Sequence, residues 1–123
     1  MTEQDKQLLL QDLCARLPYG VIAEIIKRIQ DDTSIVIGKV NPMWLAAKYD
    51  KIEDIKPYLR SMSDMTEDEK KEYSILSYLD DKYTQPHDSA HLLDWFYTHH
   101  LDFRGLIPKG LALEAKEGMY KTE

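Results

Sequence analysis

One cysteine, Cys14, stands in 123 residues, which excludes an internal disulfide and any zinc site built on thiolates. The thiol is expected to be a small core residue, and a lone cysteine is in keeping with a reducing compartment. Glycine is scarce as well: five are scattered along the chain, so neither a GxGxxG dinucleotide fingerprint nor a phosphate-cradling Walker loop can form. HExxH and GxSxG are also absent, which removes the usual local marks of a zinc hydrolase or a nucleophile elbow. No long apolar run exists. The LLL at 8–10 is far too short for a signal peptide or a membrane span, so a cytoplasmic setting without membrane contact is expected.

Basic charge is the other shortage. Sixteen Lys and Arg face 22 Asp and Glu, for a net charge of −6. The imbalance is uneven: residues 1–60 carry 9 basic and 9 acidic groups, while residues 61–123 carry 7 and 13. Such a surface repels phosphate backbones and lacks the counterion-release contribution that drives nucleic-acid binding. Only Lys27, Arg28, Lys39 and Lys48 could form a local basic patch, and the simpler reading has them solvating the exposed face of a sheet.

What is present is a chain of one character, with no repeat, linker or low-complexity tract, long enough for a single domain with its own core over 1–123. Leu9, Leu10, Leu13 and Leu17 make one stripe of a helix over residues 3–16, with Glu3 and Asp5 near its positive end and Arg16 near its negative end. Leu17-Pro18-Tyr19-Gly20 should stop it, Pro18 driving Leu17 from the α region and Gly20 permitting a sharp turn. The period then changes. Val21–Ile29 and Ser34–Val40 are rich in β-branched residues and flank the turn-like Gln30–Thr33, so they read as an antiparallel hairpin, although AEIIKRIQ would also suit a helix. Residues 43–50 are open between helix and strand, with strand preferred. Lys51–Met62 holds Ile52, Ile55, Tyr58 and Leu59 around Pro57, and is expected as a turn followed by an extended segment at the sheet's edge.

Thr66 followed by Glu69 is a capping box and starts a helix expected to reach Leu79, burying Tyr73, Leu76 and Leu79 with Ile75 and Tyr78 beside them. Asp80–His87 is a loop. Ser89–His100 is a further helix, with Leu92, Leu93 and Phe96 at helical spacing and Trp95 and Tyr97 widening the apolar face; the stretch it opens, Ser89–Ala115, is expected to supply the core around which the chain is organised. Asp102 can cap a short helical turn through Leu106, Gly110 can end it at positive φ, and LALEA should be extended. Residues 116–123 are polar enough to fray. The expected fold is therefore α+β: an N-terminal helix, a small antiparallel sheet of about three strands, two longer helices, and a short C-terminal helical turn plus extended segment.

The blocks DLCARLPYGV at 12–21, IKPYLRSMSDMTEDE at 55–69 and DW...HHLDFRGLIPKGLALEA over 94–115 resemble a family of small uncharacterised proteins encoded by phages and prophages of anaerobic gut bacteria. The resemblance spans most of the chain and implies an origin on mobile DNA and a bacterial host cell. It carries over no catalytic or binding residue. Ser61 and Pro108 depart from the family pattern, which puts the conformation of those two turns in question.

Candidate chemistry is sparse. His87 and His91, with Asp94 or with His99 and His100, could ligate a divalent metal, but adjacent histidines point apart, so no metal or other cofactor is expected. His99 and His100 also suit a helix C-terminus. The acidic TEDEKKE run reads as a solvated helix start rather than a carboxylate pair at a cleft. The aromatics remain: two tryptophans and eight tyrosines, of which Tyr19, Tyr58, Trp95 and Tyr97 lie with Arg104 in the blocks that carry the resemblance. Tyr, Trp and Arg carry binding hot spots, although core placement is the commoner fate of such aromatics. The expectation is a non-enzymatic accessory protein that binds another macromolecule, with a protein favoured as partner; a nucleic-acid-contacting regulator comes second and a metal-assisted hydrolase third. Arg104 is expected to pair with Asp94 or Asp102 or to donate to the carbonyls that end the preceding helix; the other reading has it exposed beside Tyr97, anchoring an acidic partner.

Overall fold

The computed structural model describes residues 2–29, 32–43, 52, 54–82 and 89–120. The open question over 43–50 falls almost wholly outside them, as does most of the loop expected over 80–87; its first residues, 80–82, instead continue the helix expected to end at Leu79. Helix α1 (Glu3–Arg16) begins with a capping box: the Asp5 N–H donates to Thr2 Oγ1 at 3.1 Å and the Thr2 N–H to Asp5 Oδ2 at 3.4 Å. Its buried stripe is Leu9, Asp12, Leu13 and Arg16, at the three- and four-residue spacing of one helix face. Leu10 and Leu17 are only half-buried against the core. Cys14, expected inside, is exposed, because it falls off that stripe. Leu17 also stays in the α region and joins a 3₁₀ turn with Pro18; the chain actually stops at Gly20, whose φ of 71° ends the turn.

Strands β1 (Ile22–Ile29) and β2 (Asp32–Lys39) form the expected hairpin, in an unbroken register from Ile22 opposite Lys39 to Ile29 opposite Asp32. β3 (Ile55–Leu59) lies antiparallel on the other side of β1, and β4 (Leu113–Glu114) adds to β3 in parallel. The sheet is thus four-stranded and mixed, in the order β2-β1-β3-β4, and β3 is an inner strand rather than the edge. Pro57 is tolerated there for a positional reason. The Ala115 N–H donates to Leu59 O at 2.7 Å, so the odd residues of β3 aim their backbone groups away from β1. Pro57 therefore lacks its N–H on a side where β4 has not yet begun.

One face of the sheet carries the core. Val21, Ala23, Ile25, Ile55 and Leu59 pack with Leu9 and Leu13 of α1, and with Leu106, Leu111 and Ala112 from the C-terminal turns. The stretch Ser89–Ala115, expected to organise the chain, thus reaches this cluster through Leu106, Leu111 and Ala112, but its helix, α3 (Ser89–Thr98), adds nothing to it. α3 instead buries Phe96 and Tyr97 in a second, aromatic layer with Tyr73 and Phe103, and leaves Leu93 exposed. α2 (Glu67–Lys82) starts at the expected capping box, Thr66 N–H to Glu69 Oε1 at 2.8 Å and Glu69 N–H to Thr66 Oγ1 at 3.2 Å. It lies at the periphery: Tyr73 and Leu76 are half-buried, Ile75 and Tyr78 are exposed, and the Leu79 side chain is outside the described set.

The C-terminal third is held by turns. His100 adopts φ 57° and thereby turns Leu101 onto Arg60, whose N–H donates to His100 O at 2.7 Å. Asp102 accepts from the Leu106 and Ile107 N–H groups at 2.8 and 2.9 Å, so it caps as expected, but the chain beyond it forms a run of hydrogen-bonded turns ending at Gly110 (φ 76°) rather than a helix. In the polar tail, Tyr120 is anchored. Its hydroxyl accepts from the Ile22 N–H at 2.7 Å and has Tyr58 O at 2.7 Å and Ile22 O at 3.2 Å as acceptors, standing in for the β1–β3 rung beyond Ala23–Pro57. Residues 121–123 lie outside the described set.

Candidate functional site

Most polar side chains with chemical potential are spent on holding the elements together. Arg16 is fully buried, with Nε on Asp12 Oδ2 at 2.7 Å and Nη2 on Leu101 O at 2.6 Å. Asp12 turns its other oxygen to Arg104 Nη1 at 2.7 Å, and Arg104 Nη2 donates to the Tyr97 hydroxyl at 2.9 Å while the guanidinium lies over the Phe103 ring. Arg104 thus takes the structural role foreseen for it, with Asp12 in place of Asp94 or Asp102. A second knot ties β3 to both later helices: Arg60 donates to both Glu69 oxygens, at 2.8 and 2.6 Å, and to His99 O at 3.0 Å. These bonds hold the Glu69 carboxyl down at about 2; burial opposes them and the Thr66 N–H helps.

His99 and His100 face different ways. His99 Nδ1 lies 2.8 Å from Trp95 O at the end of α3, whereas His100 is buried and stacked on Tyr120 at 3.7 Å between ring centres. Burial first, then the charges of Arg16, Arg60 and His99, push His100 down to about 4, and burial pushes Tyr120 up to about 12. Among the described residues no three His, Cys, Asp or Glu side chains gather for a metal. His87 and the His91 side chain lie outside them.

The five residues singled out for interaction occupy separate places. Tyr19 stacks on Tyr97 at 6.3 Å and donates to Asp94 at 3.3 Å, and Tyr97 is buried against Arg104, so these three adjoin. Trp95 is half-buried beside Tyr73 and His99, with Nε1 donating to Glu72 Oε2 at 2.9 Å. Tyr58 is buried on the sheet, its hydroxyl on Glu24 at 3.4 Å and Lys116 over its ring. Two surface clefts bring little free chemistry. One, of about 270 Å³, is lined by Arg60, Asp64, Lys116 and Tyr120 among others, and Arg60 is already engaged. The other, of about 280 Å³, holds Asp102, both of whose oxygens are taken by backbone N–H groups.

The surface feature that sequence reasoning passed over is the free side of the hairpin. Ile35 is 61% and Ile37 48% exposed, side by side on β2, the outermost strand. Register sets Ile35 opposite Ile26 and Ile37 opposite Glu24, on the sheet face turned away from Ala23 and Ile25. The Val40 N–H donates to Val21 O, so even-numbered residues of β2 aim their backbone groups at β1, and Thr33, Ile35, Ile37 and Lys39 aim theirs outward. Among the described residues nothing pairs with that edge. β2 also lacks the usual guards: its register has no bulge, it contains no proline, and its charges sit only at its ends, Asp32 and Lys39. The signal was the IVI run at 35–37, read only as part of a hairpin strand. Lys27 and Lys39, by the same register, lie on opposite faces, while the side chains of Arg28 and Lys48 lie outside the described set.

Among the described residues no helix is long and apolar enough to cross a membrane. Comparison of the chain with family models, curated proteins and solved structures returns no match.

Proposed function

We propose that this chain is a non-enzymatic protein-binding module that recruits its partner by strand addition to β2. One observation carries the reading: Ile35 and Ile37 stand exposed on an edge whose backbone donors and acceptors point outward without partners among the described residues. Strand addition satisfies those groups through main-chain bonds, and alternate side chains give it specificity. Tyr19, Tyr97 and Arg104 brace α1 against the C-terminal turns, Trp95 packs between the two later helices, and Tyr58 reaches Glu24 on the sheet face that carries Ile37. Lys27 and Lys39, the two of the four candidate basic residues whose side chains are described, lie on opposite faces, which counts against a nucleic-acid role. The resemblance of the sequence blocks to phage and prophage proteins supports an accessory role in a bacterial cytoplasm.

Affinity capture tests this reading. Tagged chain and its Ile35→Glu variant, both confirmed folded by circular dichroism, are incubated with bacterial lysate and with pure chain. A protein retained by the parent and lost with the variant is the expected result. Equal retention by both would place the binding surface elsewhere.

A further inference from the structure

The edge is self-complementary. Ile35 and Ile37 flank Val36, and an antiparallel copy of β2 related by a two-fold axis at Val36 sets Ile35 of one chain opposite Ile37 of the other, twice. The same register pairs Thr33 with Lys39. All four residues have outward backbone groups, so each of these pairs is a hydrogen-bonded one, and Val36 faces its counterpart between them. A two-fold axis perpendicular to a sheet keeps each residue on its own face, which makes the matched parity a geometric requirement that this strand meets.

Charge selects the same place. Residues 21–40 carry Glu24, Asp31 and Asp32 against Lys27, Arg28 and Lys39, so the hairpin is neutral although the chain has a net charge of −6. Two copies repel elsewhere and meet without penalty at the hairpin. Isoleucines directly opposite one another across an antiparallel pair also add favourable side-chain contact.

We propose that the partner seated on β2 is a second copy of this chain, joined through antiparallel β2–β2 pairing about Val36 into one sheet of twice four strands. This rests on the strand-addition reading above and names its occupant. The closed two-fold leaves no further edge at that side, so assembly stops at the dimer.

Sedimentation velocity over rising concentration, on the full chain, tests it with two variants at exposed positions. The wild type is expected to pass from one chain mass to two. Ile35→Glu should stay at one, since its carboxylate opposes an isoleucine. The double variant Ile35→Glu/Ile37→Lys should recover the dimer, because the two introduced charges then oppose each other across the axis and the lysine also lies beside Glu24. A wild type that stays at one mass, or an Ile35→Glu chain that dimerises normally, overturns the proposal. Loss with the single variant and no recovery with the double overturns the Val36 axis. If the wild type is monomeric yet Ile35→Glu abolishes capture of another protein, self-pairing falls and strand addition stands; if capture too is unaffected, both fall.

Discussion

Replacing Glu69 by glutamine isolates the Arg60–Glu69 knot, because glutamine at the third helical position can still complete the capping box with Thr66. What it removes is the charge that faces Arg60 at 2.6 and 2.8 Å. Hydrogen bonds to a charged group contribute about 1.5–3 kcal/mol, and breaking a fully buried pair costs about 3–5 kcal/mol. Here the side chains keep 18% and 11% of their exposure, so solvent screens part of the effect. About 2 kcal/mol is the resulting expectation, or roughly a 1 M fall in the urea midpoint at neutral pH. The pH dependence carries a sign. The folded carboxyl sits at about 2, below the ordinary 4.5. The stabilisation is therefore complete above 4.5 and drains away as pH falls toward 2. Urea titrations of both proteins from pH 7 to pH 2.5 should show the gap narrowing only below 4.5. Equal midpoints at pH 7, or a gap that does not change with pH, would refute the assignment.

Tyr120→Phe strips the hydroxyl from the Ile22 and Tyr58 backbone groups and should cost about 1–3 kcal/mol, read as a lowered melting temperature with faster amide exchange at Ile22. Arg104→Lys keeps the charge but cannot span Asp12 and Tyr97 with one planar fork; a loss of about 1–3 kcal/mol in denaturant is expected. His100 is held neutral and low, at about 4 against 6.5. The unfolded chain takes up its proton first, so stability is lost as pH falls from 6.5 toward 4. Asparagine tolerates the same positive φ without titrating, and His100→Asn should flatten the melting-temperature profile in that window.

Features that depend on neighbouring residues were legible in the sequence. The Thr66–Glu69 box, the turn at Gly20 and the two β-branched runs each carry their cause within a few positions, and all appear. Partners distant in the chain were not. Asp12 and Arg16 sit four apart in DLCAR, but burying them requires Leu101 O and Arg104, some ninety residues on. The same blindness put α3 in the core: it is Leu106, Leu111 and Ala112, further along the same stretch, that the turns at Asp102 and Gly110 bring against the sheet. LALEA was legible as an extended segment, but not that two of its residues, Leu113 and Glu114, would pair in parallel with β3. Composition nominated aromatic residues as the binding surface, since type alone cannot tell a ring packed edge-on against Phe103, as Tyr97 is, from one facing solvent. The exposure of Ile35 and Ile37 follows from strand order, which no local pattern encodes.

Amide hydrogen exchange along β2 tests the central claim most directly, because alternate residues report opposite sides of one strand. The account predicts that the Ser34, Val36 and Gly38 amides, which face β1, are protected at every concentration. The Ile35 and Ile37 amides should exchange freely in dilute protein and become protected as concentration rises or a partner is added. Outward amides that remain equally fast with the partner bound would contradict strand addition at β2.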